Sequence, residues 1–186
     1  MPLRNTAEAY GSVAKFLHWS IVLLILPQYF LFEGAEELPE GSQQAAQLLD
    51  LHKSIGMLVL ILAVVRIAWK IVNRSQPAPL GDVAWQRKAA AAGHGLLYLL
   101  ILAQPLTGWI MASAGDSPVS LFGWVSFPAL VGPGKDLHET MEEVHEVLFW
   151  LMVAVAAAHI AAALFHHWVL KDDTLRRMLP FLRSQA

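Results

Sequence analysis

Four long runs of apolar residues, separated by polar segments, dominate the pattern of side chains along this chain. They cover approximately residues 13–32, 49–71, 89–111 and 144–169. An α-helix needs about 20 mostly apolar residues to cross the hydrocarbon core of a bilayer, and each run is close to that length. The pattern therefore predicts an all-α fold, an integral membrane four-helix bundle that forms a single domain over residues 1–186.

The polar segments predict three connections of different character. Residues 33–47 are rich in glutamate, and residues 73–82 are rich in proline, which is typical of a turn. Residues 114–136 contain glycine, proline and several aromatic side chains, and we expect them to lie on the membrane surface as a lid. The first apolar run begins early in the chain, but its length and its histidine, His18, favour a retained helix over a cleavable signal.

Composition agrees with a membrane protein and excludes several kinds of redox centre. The 186 residues are 56% hydrophobic, and the mean hydropathy of +0.47 is too high for a soluble domain of this size. The chain has no cysteine. This excludes disulfides, cysteine-ligated iron–sulfur clusters and thioether-attached haem within it. Histidine, with 8 residues, remains the main candidate for a metal ligand.

Lysine and arginine are distributed unequally between the two sides of the predicted bundle. Only Lys53 and Lys135 fall on one side. The other side carries Arg4, Lys15, Arg66, Lys70, Arg74, Arg87, Lys88, Lys171, Arg176, Arg177 and Arg183. Cytoplasmic segments of membrane proteins carry the excess of basic residues, so we predict that both termini are cytoplasmic. Most acidic residues then lie on the outer side, an asymmetry that the net charge of −2 conceals.

The last apolar run carries a stripe of histidines on one helix face. Positions seven residues apart are His138, His145, Met152, His159 and His166. His145 and His159 are separated by about 21 Å along a helix axis, so both fit within a hydrocarbon core about 30 Å thick. Ionisable residues inside a membrane are costly and usually functional. We interpret these two as ligands of two haem irons; hydrogen bonding to neighbouring helices is the alternative.

Depth in the bilayer pairs these two histidines with histidines of the first two runs. His18 lies near the inner end of its run, at the depth of His159, and His52 lies at the outer end of its run, at the depth of His145. Bis-histidine ligation of haem b needs one imidazole on each face of the porphyrin. We therefore predict two haems b stacked across the bilayer, one between His18 and His159 and one between His52 and His145.

Two further histidines compete for these sites. His94, in the third run, lies at the inner depth and is an alternative to His18 as the partner of His159. His138 lies near the outer site, but its flanking residues are charged. We assign His138 to the surface or to proton handling.

Two residues at the inner side are candidates for contacts with cofactors. Arg66 follows His52 by the interval that separates His145 from His159, which places it on the same helix face at the depth of the inner haem. A buried arginine needs an anionic partner, and a haem propionate would supply it; snorkelling to the headgroups is the alternative. His166, at the inner interface, is either a hydrogen-bonding partner of a quinone carbonyl or an ordinary interfacial histidine.

The order of these motifs resembles the prokaryotic cytochrome b561 family. The matching residues are His18-Trp19, His52 with Gly56, Val64-Val65-Arg66, Gly93-His94, Pro105, His145, His159, His166-His167 and the segment Lys171 to Pro180. The resemblance implies a di-haem cytochrome b of the bacterial inner membrane that exchanges electrons with the quinone pool. The haem ligands that it implies are His18, His52, His145 and His159, in agreement with the depths above.

The resemblance also implies a choice between functions. We expect an oxidoreductase that oxidises superoxide at the periplasmic face and reduces ubiquinone, with Lys53 and Lys135 as a positive funnel for the anion. The acidic outer face is unfavourable for an anionic substrate, and it favours the alternative of a cytochrome b subunit that exchanges electrons with a cationic periplasmic protein. A haem or metal transporter is a third possibility, although facing histidine pairs at fixed depths suit permanent binding better. Membrane lipid and quinone are expected partners, and nucleic acid is not.

Overall fold

A computed structural model of the chain describes residues 2–73, 75, 77 and 83–180, and it is built mainly of helices. The helices are α1 Ser12–Ile25, α2 Gln28–Glu36, α3 Gln43–Val72, α4 Ala84–Ala114, α5 Lys135–Phe165 and α6 Thr174–Met178. A π-helical turn, His166–Leu170, continues α5, and the strands β1 Val119–Leu121 and β2 Val125–Phe127 form an antiparallel hairpin. Four helical stretches are long and apolar enough to cross a membrane: Ser12–Glu36, Gln43–Val72, Ala84–Ala114 and Lys135–Leu170.

The helices extend beyond the apolar runs that predicted them. α3 begins at Gln43 rather than near residue 49, and α5 begins at Lys135 rather than near residue 144. Ser42 caps α3 by accepting a hydrogen bond from the amide of Ala45 at 3.2 Å, whereas α5 begins after Gly134 without a side-chain cap. The apolar runs therefore mark the parts of the helices suited to lipid, and polar first turns precede them.

The first predicted span is two helices, because Pro27 interrupts it. Proline has no amide hydrogen to continue the backbone ladder, so α1 ends at Ile25 and α2 begins at Gln28. The break places Gln28 in the first turn of α2, beside His52 of α3. Both the side-chain amide and the backbone carbonyl of Gln28 contact His52 there.

The connection between α4 and α5 is ordered by the hairpin, which departs from the all-α prediction. Its turn residues Phe122 and Gly123 both have positive φ, as tight hairpin turns require. Ser54 of α3 attaches the hairpin to the bundle: its hydroxyl donates to the carbonyl of Ser120 at 2.9 Å and accepts from the amide of Phe122 at 3.1 Å. We call this end of the molecule the hairpin end.

The opposite end, here called the terminal end, joins the beginning of α1 to the C-terminal segment. The buried ammonium group of Lys15 donates to the carbonyl of Leu179, and the indole of Trp19 donates to the carbonyl of Met178, both at 2.9 Å. Most of the predicted turn at residues 73–82 lies outside the described residues. So do Arg74 and Arg183, two of the basic residues used to predict the orientation.

Packing is concentrated between helices, and many large apolar side chains face outward. Ile21, Ile55 and Val59 form a cluster that joins α1 to α3. Phe16 and Leu23 of α1, by contrast, remain 68% and 65% exposed. Soluble monomers rarely expose apolar surface so extensively, so these outward faces suit contact with lipid.

Candidate haem sites

The four histidines predicted to pair across the bundle lie in two pairs. The ring centroids of His52 and His145 are 6.3 Å apart at the hairpin end, and those of His18 and His159 are 6.5 Å apart nearer the terminal end. Two metal–imidazole bonds of about 2 Å each, together with the half-widths of two rings, come to about 6 Å. Each pair therefore has the separation that one metal ion held between two imidazoles requires.

His94, the predicted competitor for the terminal-end site, also lies next to His159. Its ring centroid is 5.2 Å from that of His159, in an edge-to-face arrangement. This separation is shorter than a metal ion between the two rings would require, whereas the separation between His18 and His159 is sufficient. The geometry favours His18 as the partner of His159 and leaves His94 as a packing neighbour.

His52 is oriented by reciprocal hydrogen bonds between α2 and α3. Its Nδ1 lies 3.1 Å from the carbonyl oxygen of Gln28, and the side-chain amide of Gln28 donates to the carbonyl of His52 at 3.2 Å. A carbonyl oxygen only accepts, so Nδ1 of His52 carries the hydrogen. The other ring nitrogen, Nε2, keeps the lone pair that a metal ligand needs.

His145 is oriented in a similar way by α4. The hydroxyl of Thr107 donates its one hydrogen to the carbonyl of Gln104 at 2.9 Å, so it accepts from Nδ1 of His145 at 3.1 Å. The side-chain amide of Gln104 donates to the carbonyl of His145 at 3.0 Å. Both histidines of the hairpin-end pair therefore present Nε2 as the free ring nitrogen. Sequence reasoning missed Gln28, Gln104 and Thr107, although polar residues within apolar runs were a usable signal.

A cavity of about 430 Å³ contains the hairpin-end pair and has a largely apolar wall. Its volume lies within the range of cofactor pockets, and Gly56 and Gly108 are among its lining residues. A Cβ atom on Gly108 would lie 3.0 Å from Cε1 of His145, so the glycine makes room for the imidazole. An apolar cavity with two imidazoles at ligand separation suits haem b, whose iron takes two axial nitrogens.

His138 also lines this cavity, which corrects its assignment to the surface. Its ring is half-buried, Nδ1 lies 2.9 Å from the carbonyl oxygen of Met111, and a Cβ atom on Gly115 would come within 2.7 Å of Nδ1. Charged residues adjacent to a side chain do not decide whether it is buried, since Glu142, one turn after His138, lines the same cavity. The position of His138 on the stripe with His145 was the better signal.

Arg66 lies on α3 toward the terminal end and is half-buried. Its guanidinium donates to the carbonyl of Ala14 at 3.1 Å and to the hydroxyl of Tyr98 at 3.3 Å. Neither partner is anionic, and the described residues include no carboxylate paired with Arg66. The remaining guanidinium hydrogens suit an external anion such as a carboxylate.

The two lysines of the predicted funnel are each paired with a carboxylate. Nζ of Lys53 lies 2.8 Å from Oδ1 of Asp50. It also donates to the hydroxyl of Ser117 and to the carbonyl of Pro118, and these contacts hold Lys53 in the cavity wall. Lys135 lies 3.5 Å from Glu139, and its side chain is 84% exposed. Of the two, only Lys53 lines the cavity within the described part of the chain.

His166, the predicted quinone contact, belongs to a histidine–carboxylate pair at the terminal end. The π-helical turn and Lys171, with φ +55°, reverse the chain so that Oδ2 of Asp172 lies 2.5 Å from Nδ1 of His166. Burial acts to raise the pKa of Asp172, but hydrogen bonds from Thr174 and His166 outweigh it and lower that pKa. Sequence reasoning missed Asp172 because the reversal that brings it to His166 is a tertiary feature.

The chain is similar over nearly its whole length to known membrane cytochromes. The family model described as prokaryotic cytochrome b561 matches residues 9–181. Cytochrome b561 homolog 2 of Escherichia coli (strain K12) is 33% identical over 180 residues, which cover 96% of this chain and 95% of the relative. Cytochrome b561 homolog 1 of the same strain is 32% identical over 171 residues, covering 92% and 97%. Probable superoxide oxidase CybB of Yersinia pestis is 30% identical over 177 residues, covering 95% and 99%.

Proposed function

Because the chain belongs to the prokaryotic cytochrome b561 family, we propose that it is a di-haem b protein that oxidises superoxide at the periplasmic face and reduces ubiquinone. The family and the four apolar helices make it a multi-pass bacterial membrane protein of electron transfer. The name of the relative from Yersinia pestis supports the choice of superoxide as the donor. The orientation with both termini in the cytoplasm is part of the proposal.

Two stacked pairs of histidines support this function most directly. His52 and His145 would hold one haem at the hairpin end, and His18 and His159 would hold the second. Fourteen residues of α5 separate His145 from His159, about 21 Å along the helix axis. Haem b, when bound, takes up and releases one electron at a time. Arg66 would bind a propionate of the terminal-end haem, because its described partners leave its charge uncompensated.

The proposed reaction balances with two superoxide anions for each quinone. Each superoxide loses one electron and leaves as dioxygen, and ubiquinone gains two electrons and two protons to become ubiquinol. Lys53, in the wall of the cavity beside His52, would attract the anion, and the exposed Lys135 would add a weaker field. His166, held by Asp172 through Nδ1, would donate a hydrogen bond from Nε2 to a quinone carbonyl when its ring carries a proton on both nitrogens.

An electron-transfer subunit for a cationic periplasmic protein is the second candidate function. Glutamates line the cavity at the hairpin end, and both lysines of the proposed funnel have carboxylate partners. The lining glutamates are Glu33, Glu36, Glu142 and Glu146. An acidic surface around a redox centre attracts a basic partner and repels superoxide. A transporter of haem or metal is disfavoured by the fixed facing pairs, and haem that survives detergent washing would argue against it.

Rapid anaerobic mixing would separate these candidates. We expect superoxide to reduce the oxidised, purified protein within the mixing experiment, as followed by haem absorption, and added ubiquinone to sustain turnover. Lys53→Gln should slow reduction by superoxide at low salt by about tenfold, because steering by charge is lost. Lys88→Gln, a neutralisation on α4 near the terminal end, is the matched control and should leave the rate unchanged.

The other outcomes of this experiment would contradict the proposed reaction. Reduction by ubiquinol but not by superoxide would reverse the direction of electron flow and support the subunit for a periplasmic partner. A purified protein without haem absorption would overturn both redox functions.

A further inference from the structure

The two histidine pairs differ in their hydrogen bonds, and this difference bears on the haem ligation proposed above. At the hairpin end, Nδ1 of His52 donates to the carbonyl of Gln28, and Nδ1 of His145 donates to the hydroxyl of Thr107. Within residues 2–73, 75, 77 and 83–180, no hydrogen bond reaches the ring of His18 or of His159. Acceptors therefore orient one pair of rings and not the other.

The pairs also differ in the charges around them. Glu142 and Glu146 line the same cavity as His52 and His145, and the charge of Lys53 there is balanced by Asp50. At the terminal end, the guanidinium of Arg66 donates to the carbonyl of Ala14, one helical turn before His18. Exposed carboxylates thus line the cavity that contains one pair, whereas an arginine lies beside the other.

Both differences affect the midpoint potential of a bound haem in the same direction. An acceptor on the Nδ1 hydrogen makes an imidazole a more basic ligand, and a more basic ligand stabilises ferric iron. Neighbouring carboxylates also favour the more positive ferric state, whereas a neighbouring arginine disfavours it. A low potential at the hairpin end and a higher potential at the terminal end follow from each effect separately.

We propose that Thr107 and the backbone carbonyl of Gln28 set the redox order of the two sites, with the lower midpoint potential at the hairpin end. One electron then passes spontaneously from the site of His52 and His145 to the site of His18 and His159, oxidising the first and reducing the second. Thr107 is a positioning residue, because it acts through His145. The inference rests on the proposed function, and it adds which groups set the relative potentials of the two sites.

An anaerobic redox titration of the purified holoprotein, followed by haem absorption, tests this order. We expect two one-electron components, and we expect His145→Ala to remove the one with the lower potential. Thr107→Val keeps the shape of the side chain but removes the acceptor, so it should shift the lower component to a higher potential. Thr107→Ser keeps the hydroxyl and should restore the wild-type value.

A matched control uses the same substitution at another helical threonine. The hydroxyl of Thr140 on α5 donates to the carbonyl of Asp136 and is exposed, so Thr140→Val should change neither component. If Thr107→Val shifts neither component, or shifts the higher one, the role of Thr107 is wrong. If His145→Ala removes the higher component, the proposed order is wrong even where Thr107→Val does not yield a stable protein. A wild-type protein that binds no haem would instead overturn the proposed function itself.

Discussion

At the scale of single residues, the hairpin-end site depends on small side chains opposite large rings. Gly108 of α4 faces His145 of α5, and Gly115, about two turns later at the end of α4, faces His138. In both places an added Cβ atom would lie 3.0 Å or less from an imidazole carbon or nitrogen. Close packing of this kind fixes the ring plane of His145 from one side, while Thr107 fixes it from the other.

Gly108→Ala should therefore weaken binding of the hairpin-end haem. The methyl group must shift the ring of His145 by a few tenths of an ångström against its hydrogen bond with Thr107, and overpacking of this kind costs about 1–3 kcal/mol, or more than about fivefold in affinity. The haem-to-protein ratio after purification measures the loss. Gly93→Ala, in the same helix, is the control because a Cβ atom there meets nothing within 4 Å. Equal haem content in the two variants would contradict this account of Gly108.

At the scale of elements, short breaks in the helices place the functional groups. The break at Pro27 immediately precedes Gln28, whose carbonyl lies beside Nδ1 of His52, and the π-helical turn after α5 brings Asp172 back to His166. The segment that follows, residues 174–180, is held to α1 by the hydrogen bonds from Lys15 and Trp19. The position of the histidine–carboxylate pair is therefore coupled to the attachment of this C-terminal segment.

Trp19→Phe should loosen the C-terminal segment without unfolding the bundle. The substitution removes the indole N–H that donates to the carbonyl of Met178. The free energy that keeps the segment attached should fall by about 1 kcal/mol, so the population of the detached state should rise roughly fivefold. Hydrogen exchange of residues 174–180 measures this opening. Trp85→Phe is the control, since Trp85 is 69% exposed. Unchanged exchange in Trp19→Phe would show that Lys15 alone holds the segment.

At the scale of the whole molecule, the two ends of the bundle are chemically different. The hairpin end combines a cavity with lining glutamates, and the terminal end combines Arg66, the buried Lys15 and the histidine–carboxylate pair. This asymmetry favours electron flow from one end of the bundle to the other. The direction of that flow across the membrane depends on the orientation of the bundle. The excess of lysine and arginine at the terminal end predicts that this end is cytoplasmic.

The absence of cysteine makes this orientation directly testable. Trp124, at the tip of the hairpin and 88% exposed, is a suitable site for a single cysteine, as is the exposed Ser75 between α3 and α4. We expect a membrane-impermeant maleimide to label Trp124→Cys in intact spheroplasts and to label Ser75→Cys only after lysis. The reverse pattern would invert the predicted topology, and with it the face at which superoxide is proposed to react.

The sequence alone determined the features that depend on local pattern. Apolar runs of membrane length predicted the four spans, because hydrophobic length is read directly from the chain. Heptad spacing on α5 and depth matching were enough to predict the pairs that the structure brings to 6.3 and 6.5 Å, His52 with His145 and His18 with His159. Their role as haem ligands remains a prediction.

Tertiary structure alone decided which groups support those histidines. No spacing rule relates Thr107 to His145 or Asp172 to His166, since each contact depends on how helices cross or on where the chain reverses. The hairpin was also not predicted, because its strands, Val-Ser-Leu and Val-Ser-Phe, alternate apolar and polar residues over only three positions, too few to indicate a strand. Local patterns report which side chains face lipid, whereas hydrogen-bond partners and ring orientation arise only when separate helices pack together.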